Sequence, residues 1–121
     1  MAPPIRKENS ELVRVVVELR KAARAHQAPI WARAAERLER ARHQTTPVNV
    51  GHLERLVAAD ATVVVPGKLL ADGRLTKAIT VAAFSFSAGA RQKIRAAGGS
   101  ALSIPDLLQN RPDGAGVRLF A

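Results

Sequence analysis

Two predominantly apolar runs constrain the fold of this chain more than any other feature. The first covers residues 62–65 and the second covers residues 79–86. Neither run shows the strict alternation of apolar and polar residues that is typical of a strand with one face in water. A strand that is apolar on both faces lies inside a layered structure. The two runs therefore predict two fully buried strands.

Short helices and strands surround these two runs after residue 48. The spacing predicts extended pieces at 48–50, 101–104 and 117–120 and short helices at 51–59, 88–97 and 105–110. Ser87 and Ser103 are placed as N-caps, and Gly98-Gly99 ends the middle helix. Asp72-Gly73 and residues 111–114 are turn signals, with Pro66-Gly67 as a bend that ends the first buried strand. This succession predicts an α/β core.

The first third of the chain differs from this core. Apolar residues with a helical period predict one helix from Ser10 to about His26 and a second helix from Pro29. The expected fold class is therefore α/β, with a helical basic N-terminal part followed by a compact core of short alternating strands and helices. We expect a single domain at 1–121, made of an extended basic arm at 1–9, a helical RNA-facing part at 10–44 and the α/β core at 45–121.

The charge of the chain indicates a polyanionic partner. The formal net charge is +9, the pI is near 11.5, and most of the 19 basic residues are arginine, which binds phosphate through two parallel hydrogen bonds. Only 3% of the residues are aromatic, so a base-stacking platform is not expected. The chain has no cysteine, its three histidines form no i, i+4 pair, and no signal peptide or membrane-length apolar run is present. We therefore expect a cytoplasmic protein that needs no cofactor.

The basic residues concentrate in the two N-terminal helices. Seven basic residues and two acidic ones lie between Arg20 and Arg42. A solvated helix face softened by Glu36–Arg40 pairing does not need such an excess, so the pattern favours a surface that faces phosphates. Trp31 has helical spacing with apolar neighbours, which is more typical of a core residue than of a base platform.

A Gly-Lys pair follows the first buried strand, as it does in nucleotide-binding loops. Such a loop needs an upstream glycine and a hydroxyl residue after the lysine, but Thr62 and Leu69 occupy those positions. The stretch therefore does not predict a nucleotide site. Lys68 still lies close in sequence to Arg74 and Lys77, and these three residues together with the basic helices predict one face suited to folded RNA.

Three blocks of sequence resemble a known family. They are VNVGHLERL at 48–56, VVVPGKLLADGRL at 63–75 and ITVAAFSFSAGARQKIRAAGG at 79–99, preceded by W-x3-A-E-R-L at 31–38. In order and spacing these blocks resemble the archaeal and eukaryotic large-subunit ribosomal protein eighteen, which is related to the C-terminal part of bacterial large-subunit protein fifteen. The length of the chain looks like that of the archaeal form.

The resemblance implies a structural protein of the large ribosomal subunit in the cytoplasm. The implied partners are large-subunit ribosomal RNA and neighbouring ribosomal proteins, with no catalytic role, no cofactor, no membrane and no small-molecule substrate. On this basis an RNA-facing role is expected for Arg20, Lys21, Arg24, Trp31, Arg33, Arg37, Arg40, Arg42, Asn49, His52, Lys68, Arg74 and Lys77. Arg6 and Lys7 of the arm are expected to become ordered on RNA. For Asn49, local hydrogen bonding to the backbone remains an equal explanation.

Two other functions fit the sequence less well. A helix-turn-helix module would place hydrogen-bonding side chains at the start of the second helix, but Pro29, Ile30 and Trp31 stand there. A small enzyme with a basic face that steers an anionic substrate would need a nucleophile with a base or a carboxylate pair. The serines occupy cap or strand positions, and the aspartates sit beside turns.

Overall fold

The computed structural model describes residues 7–40 and 47–120. Helices and strands alternate through most of this part of the chain. In order they are α1 (Lys7–Ala25), α2 (Pro29–Arg40), β1 (Val48–Asn49), α3 (Val50–Leu56), β2 (Thr62–Leu70), β3 (Thr80–Phe86), α4 (Ala88–Ala96), β4 (Ser100–Ser103), α5 (Ile104–Asn110) and β5 (Val117–Leu119). The predicted α/β class, with its helical N-terminal part, is confirmed.

All strand pairs in the sheet are parallel. The strand order is β1-β2-β3-β4, and β5 also pairs with β2. β5 lies beside residues 62–64 of β2, whereas β1 lies beside Leu69 and Leu70. Because β3 occupies one edge of β2, β1 and β5 share its other edge, each along one half of the strand. β2 is therefore the central strand of the fold.

The central strands bury side chains on both faces, as their predominantly apolar sequence predicted. Val64 and Ala82 point into a core formed with α1, α2 and α5. Their neighbours Val63, Val65 and Val81 point into a second core formed with α3 and α4. Successive side chains of a strand alternate between faces, so two helical layers enclose the sheet.

Several predicted helix ends are confirmed by their hydrogen bonds. The Ser87 hydroxyl accepts a hydrogen bond from the Ala90 N–H at 3.1 Å, and the Ser103 hydroxyl accepts one from the Asp106 N–H at 3.2 Å. Gly98, with φ of +86°, follows α4. The predicted start of the first helix at Ser10 is wrong, because the backbone is already helical from Lys7.

The first buried strand does not end at Pro66-Gly67, as predicted, but continues to Leu70. Its pairing with β3 shifts register between Val65 and Lys68, and this irregularity accommodates a proline that cannot donate a hydrogen bond. The predicted turn at Gly73 is present, with φ of +96°. Because β2 and β3 are parallel, this turn starts a crossover rather than a hairpin.

Candidate nucleic-acid interface

The outer side of α2 carries the predicted row of arginines. Arg33, Arg37 and Arg40 follow the spacing i, i+4, i+7 and are all exposed. The opposite side of the helix is fully buried and consists of Trp31, Ala34, Ala35 and Leu38. Because burial fixes the inner side, the three arginines face solvent without a conformational cost to the core.

Two ion pairs offset part of the positive charge of α1 and α2. Arg40 binds Glu36 one helical turn away at 2.8 Å, and Arg20 of α1 binds Glu39 of α2 at 2.8 Å. All four side chains are about half exposed or more, so each pair contributes little stability and is screened by salt. The Arg20–Glu39 pair links the exposed sides of the two helices, whereas their alignment depends on the apolar core that they share.

Other cations of these helices form no ion pair with the described carboxylates. They are exposed, and they are Arg14, Lys21, Arg24, Arg33 and Arg37. Together with Arg20 and Arg40 they form what we call the α1–α2 surface. Arg42 and Arg6 lie outside the described residues, and Lys7 is the first residue of α1. The α1–α2 surface therefore keeps an excess of positive charge after its internal pairing.

Trp31 is not part of this surface. Its side chain is 0% exposed, and its indole N–H donates to the Pro112 carbonyl at 2.9 Å. Gly114 lies against the same ring, where an added Cβ would be 3.5 Å from it. The prediction of an RNA-facing Trp31 is wrong because the ring faces the core, and only its alternative interpretation as a core residue agrees with the structure.

A second group of predicted residues lies in one open cleft. Asn49, His52 and Arg74 line it together with Arg55 and the backbone of Gly51 and Gly73, and its volume is about 330 Å³. The cleft lies where β1 and β2 end, at the carboxyl edge of the parallel sheet. Ligands of open α/β sheets bind at this edge.

Local hydrogen bonds hold the polar side chains of the cleft. The Asn49 amide oxygen accepts from the Asp72 N–H at 3.1 Å, so the local explanation for this residue agrees with the structure. His52 accepts from the Asn49 N–H through Nδ1 at 3.1 Å. In the neutral ring, Nε2 therefore carries the hydrogen and remains a donor.

The loop that carries Arg74 is anchored on several sides. Gly51 donates its N–H to the Asp72 carbonyl at 3.0 Å, and Gly51 and Gly73 touch backbone to backbone. Lys93 of α4 donates to the carbonyls of Ala71 and Gly73 at 2.6 and 2.7 Å. Arg74 therefore projects from a fixed loop and remains exposed itself.

Glu54 closes the far end of this loop. Thr76 donates to its Oε2 atom from the hydroxyl at 2.8 Å and from the backbone N–H at 2.7 Å. The Thr76 hydroxyl bond, and then the backbone N–H groups of Thr76 and Lys77 and the Lys77 charge, hold the pKa of Glu54 below its usual value against an opposing effect of desolvation. Glu54 thus serves the loop as an ionised acceptor.

The structure does not unite the predicted residues on one face. Lys77 is half-buried and donates to the Val57 carbonyl at 2.9 Å, which is a structural role. Lys68 is exposed on β2, outside the cleft lining. The cleft belongs to the α3 side of the sheet and the α1–α2 surface to the opposite side. The prediction of a single continuous basic face is therefore wrong.

Sequence reasoning did not assign a role to four exposed basic residues on the α3 and α4 side of the sheet. They are Arg55, Arg91, Lys93 and Arg95. Helical spacing predicted that the last three lie on the outer side of α4, away from the core. No sequence signal indicated that Lys93 would donate hydrogen bonds to carbonyls about twenty residues earlier in the chain. Arg55 directly follows the acidic Glu54, so the sequence did not indicate a basic site there. In the structure the Glu54 carboxylate accepts a hydrogen bond from Thr76.

Within residues 7–40 and 47–120, no cluster of His, Asp or Glu is arranged to hold a metal ion. No helix in the same ranges has the length and apolar character that crossing a membrane requires. Fold and surface together define a small, basic, parallel α/β protein whose exposed arginines suit a polyanion.

Comparison with known proteins identifies the family. The chain belongs to the ribosomal protein family that comprises 50S-L15, 50S-L18e and their 60S counterpart, whose pattern matches residues 30–102. It is similar to large ribosomal subunit protein eL18 of Methanopyrus kandleri, with 45% identity over 93% of this chain and 92% of the relative. The same protein of Pyrobaculum aerophilum is 50% identical over 92% and 91%, and that of Archaeoglobus fulgidus is 44% identical over 96% and 99%. The predicted resemblance is confirmed.

Proposed function

We propose that the chain is a structural constituent of the large ribosomal subunit in the cytoplasm, where it binds and stabilises large-subunit ribosomal RNA and so supports translation. The observation that carries the proposal is the near full-length similarity to proteins named large ribosomal subunit protein eL18. Neighbouring ribosomal proteins are further partners. The proposed role includes no catalysis, no cofactor and no small-molecule substrate.

The α1–α2 surface supplies the chemistry for this role. Guanidinium groups bind phosphate oxygens in pairs, and each phosphate that is neutralised releases condensed counterions. Arg33 and Arg37 are the main candidates because they are exposed and make no ion pair with the described carboxylates. Such contacts fix the position of RNA without reading its sequence.

The helix-turn-helix alternative is not favoured. A recognition helix contacts bases through the side chains of its first turn. In α2 this turn is Pro29, Ile30 and Trp31, of which the tryptophan is buried. The first turn therefore offers no exposed hydrogen-bonding side chain for a base edge.

Sedimentation of a cell lysate at moderate salt tests the location of the protein. We expect the chain to sediment with large subunits and to leave them only as the salt concentration rises. A chain that runs wholly as a small free species under these conditions would contradict the proposal.

A paired variant tests the surface. Arg33→Glu with Arg37→Glu is expected to weaken binding to large-subunit RNA and to lower the slope of log affinity against log salt by roughly 2, at about 0.9 for each phosphate contact. The matched control is Arg111→Glu with Arg118→Glu, which makes the same charge change at exposed arginines outside the α1–α2 surface. An unchanged slope in the first variant would contradict RNA contacts at Arg33 and Arg37.

A further inference from the structure

The outer side of α4 is a second concentration of positive charge. Its nine residues include Arg91, Lys93 and Arg95 and no acidic residue. Ala90 and Ile94 are buried against the sheet, whereas the two arginines, four positions apart, are exposed side by side. Without a carboxylate on the helix, the charge of α4 has no internal partner.

One of these arginines is held in position. The Arg91 guanidinium carbon lies 5.2 Å from the centre of the Phe86 ring, at the end of β3. A cation over a ring face is attracted by the ring and loses freedom. A guanidinium carries five N–H groups, and those that are not directed at the ring stay available to an acceptor.

Arginines from two other elements lie on the same side of the sheet. Arg55 belongs to α3, which contacts α4, and Arg74 lies on the loop whose carbonyls bind Lys93. Both lie toward the flank of α4 that carries Lys93, whereas Arg91 and Arg95 share the other flank, which we call the α4 surface. The cleft lining also carries two carboxylates, Glu54 and Asp72, which offset the charge of Arg55 and Arg74. The uncompensated positive charge on this side therefore lies on α4, which has no acidic residue.

The α4 surface and the α1–α2 surface face opposite directions. α2 covers the side of the sheet with Val64 and Ala82, and α4 covers the side with Val63 and Val81. Two helical layers, each about 10 Å thick, and the sheet separate them. A straight RNA helix that lies on one surface cannot reach the other.

We propose that the α4 surface is a second RNA-binding surface, so that the protein joins two separate segments of large-subunit RNA, one on each side of its sheet. This inference rests on the proposed function. RNA is the occupant because exposed arginines on a helix without acidic residues match phosphate, and because α4 exposes only small or polar side chains. A protein interface would need an apolar centre, which α4 lacks.

Hydroxyl-radical footprinting tests the inference with large-subunit ribosomal RNA extracted from Archaeoglobus fulgidus as the probe. We expect the full chain to protect two sets of nucleotides that are not neighbours in the RNA. Arg91→Gln with Arg95→Gln should lose one set, requiring at least tenfold more protein to protect it. Arg33→Gln with Arg37→Gln should lose the other set in the same way.

Arg111→Gln with Arg118→Gln removes the same number of charges outside both surfaces and should keep both sets. Circular dichroism and thermal unfolding establish that each variant is folded. If the Arg91/Arg95 variant keeps every protected nucleotide, or if the control loses the same ones, the second surface is overturned while the proposed function stands. If the unmodified chain protects nothing at moderate salt, the proposed function itself fails.

Discussion

At the scale of single residues, the positions that matter most are set by contacts far away in sequence. Trp31 has helical spacing with apolar neighbours, and the same spacing is compatible with a core residue or with an exposed ring. The hydrogen bond from its indole N–H to the Pro112 carbonyl, 81 residues away, decides for the core. A tryptophan in this position contributes to stability and not to RNA binding.

Trp31→Phe tests this assignment. The variant loses the 2.9 Å hydrogen bond and part of the buried ring, and we expect the free energy of unfolding to fall by about 1–3 kcal/mol. Urea denaturation measures the loss. RNA affinity, measured under conditions where the variant is fully folded, should not change. A loss of RNA affinity without a loss of stability would contradict the assignment of Trp31 to the core.

Gly73 allows a sharper test of backbone packing. A Cβ at this position would lie 2.6 Å from the Gly51 Cα, and the residue has φ of +96°. We expect Gly73→Ala to cost about 2–4 kcal/mol in unfolding free energy, from strain and from overpacking.

Gly67→Ala is the matched control for this variant. A Cβ at Gly67 would meet no atom within 4 Å, and we expect an effect within about 1 kcal/mol by the same urea titration. Equal losses in the two variants would contradict the close approach of Gly51 and Gly73.

At the scale of elements, the loop between β2 and β3 replaces the helix that usually connects parallel strands. It is held by Glu54 of α3 and Lys93 of α4 rather than by internal hydrogen bonding. The two helices therefore act as the supports of one loop and carry Arg74 to a fixed place. Local sequence indicated a turn here but gave no sign of these supports.

The Glu54 carboxylate gives this loop a pH dependence. Because its folded pKa is lowered, the stabilisation is complete above the unfolded pKa of about 4.5 and is lost as the pH falls through the lower folded pKa. We expect Glu54→Gln to unfold at a lower temperature than the unmodified chain at pH 6 and to approach it at pH 3. Thermal unfolding at the two pH values measures this, and a constant difference would contradict the assigned role.

At the scale of the whole molecule, the N-terminal helices are one layer of the fold and not an appendage. Trp31, Leu38 and Val16 share one core with Val64 and Ala82 of the sheet. Without α1 and α2, this face of the two central strands would meet water. The predicted division into a helical part and an α/β core therefore describes the sequence, whereas the packing joins both parts.

Removal of residues 1–46 tests this unity. The remaining chain would expose an apolar sheet face, and domains of this size unfold as one unit, so we expect no cooperative thermal transition. Circular dichroism during heating, with the full chain as control, provides the measurement. A fragment that unfolds cooperatively would establish an independent core.

The sequence by itself determined the class of fold and most helix ends. Predominantly apolar runs required strands buried on both faces, and Ser87, Ser103 and Gly98 form their caps within a few residues of their partners. Excess arginine likewise predicts a polyanionic partner, because net charge depends on composition and not on position. The three sequence blocks carried the resemblance to the family.

Only the tertiary structure decided how the charges are distributed. Residues 33–37 and 91–95 each carry two arginines four positions apart, and the sheet between their helices directs them to opposite sides. The sequence also could not place Trp31 or Lys93, since their partners lie about twenty to eighty residues away. Local pattern fixes which side of an element is apolar, whereas the order of strands in the sheet fixes what that side meets.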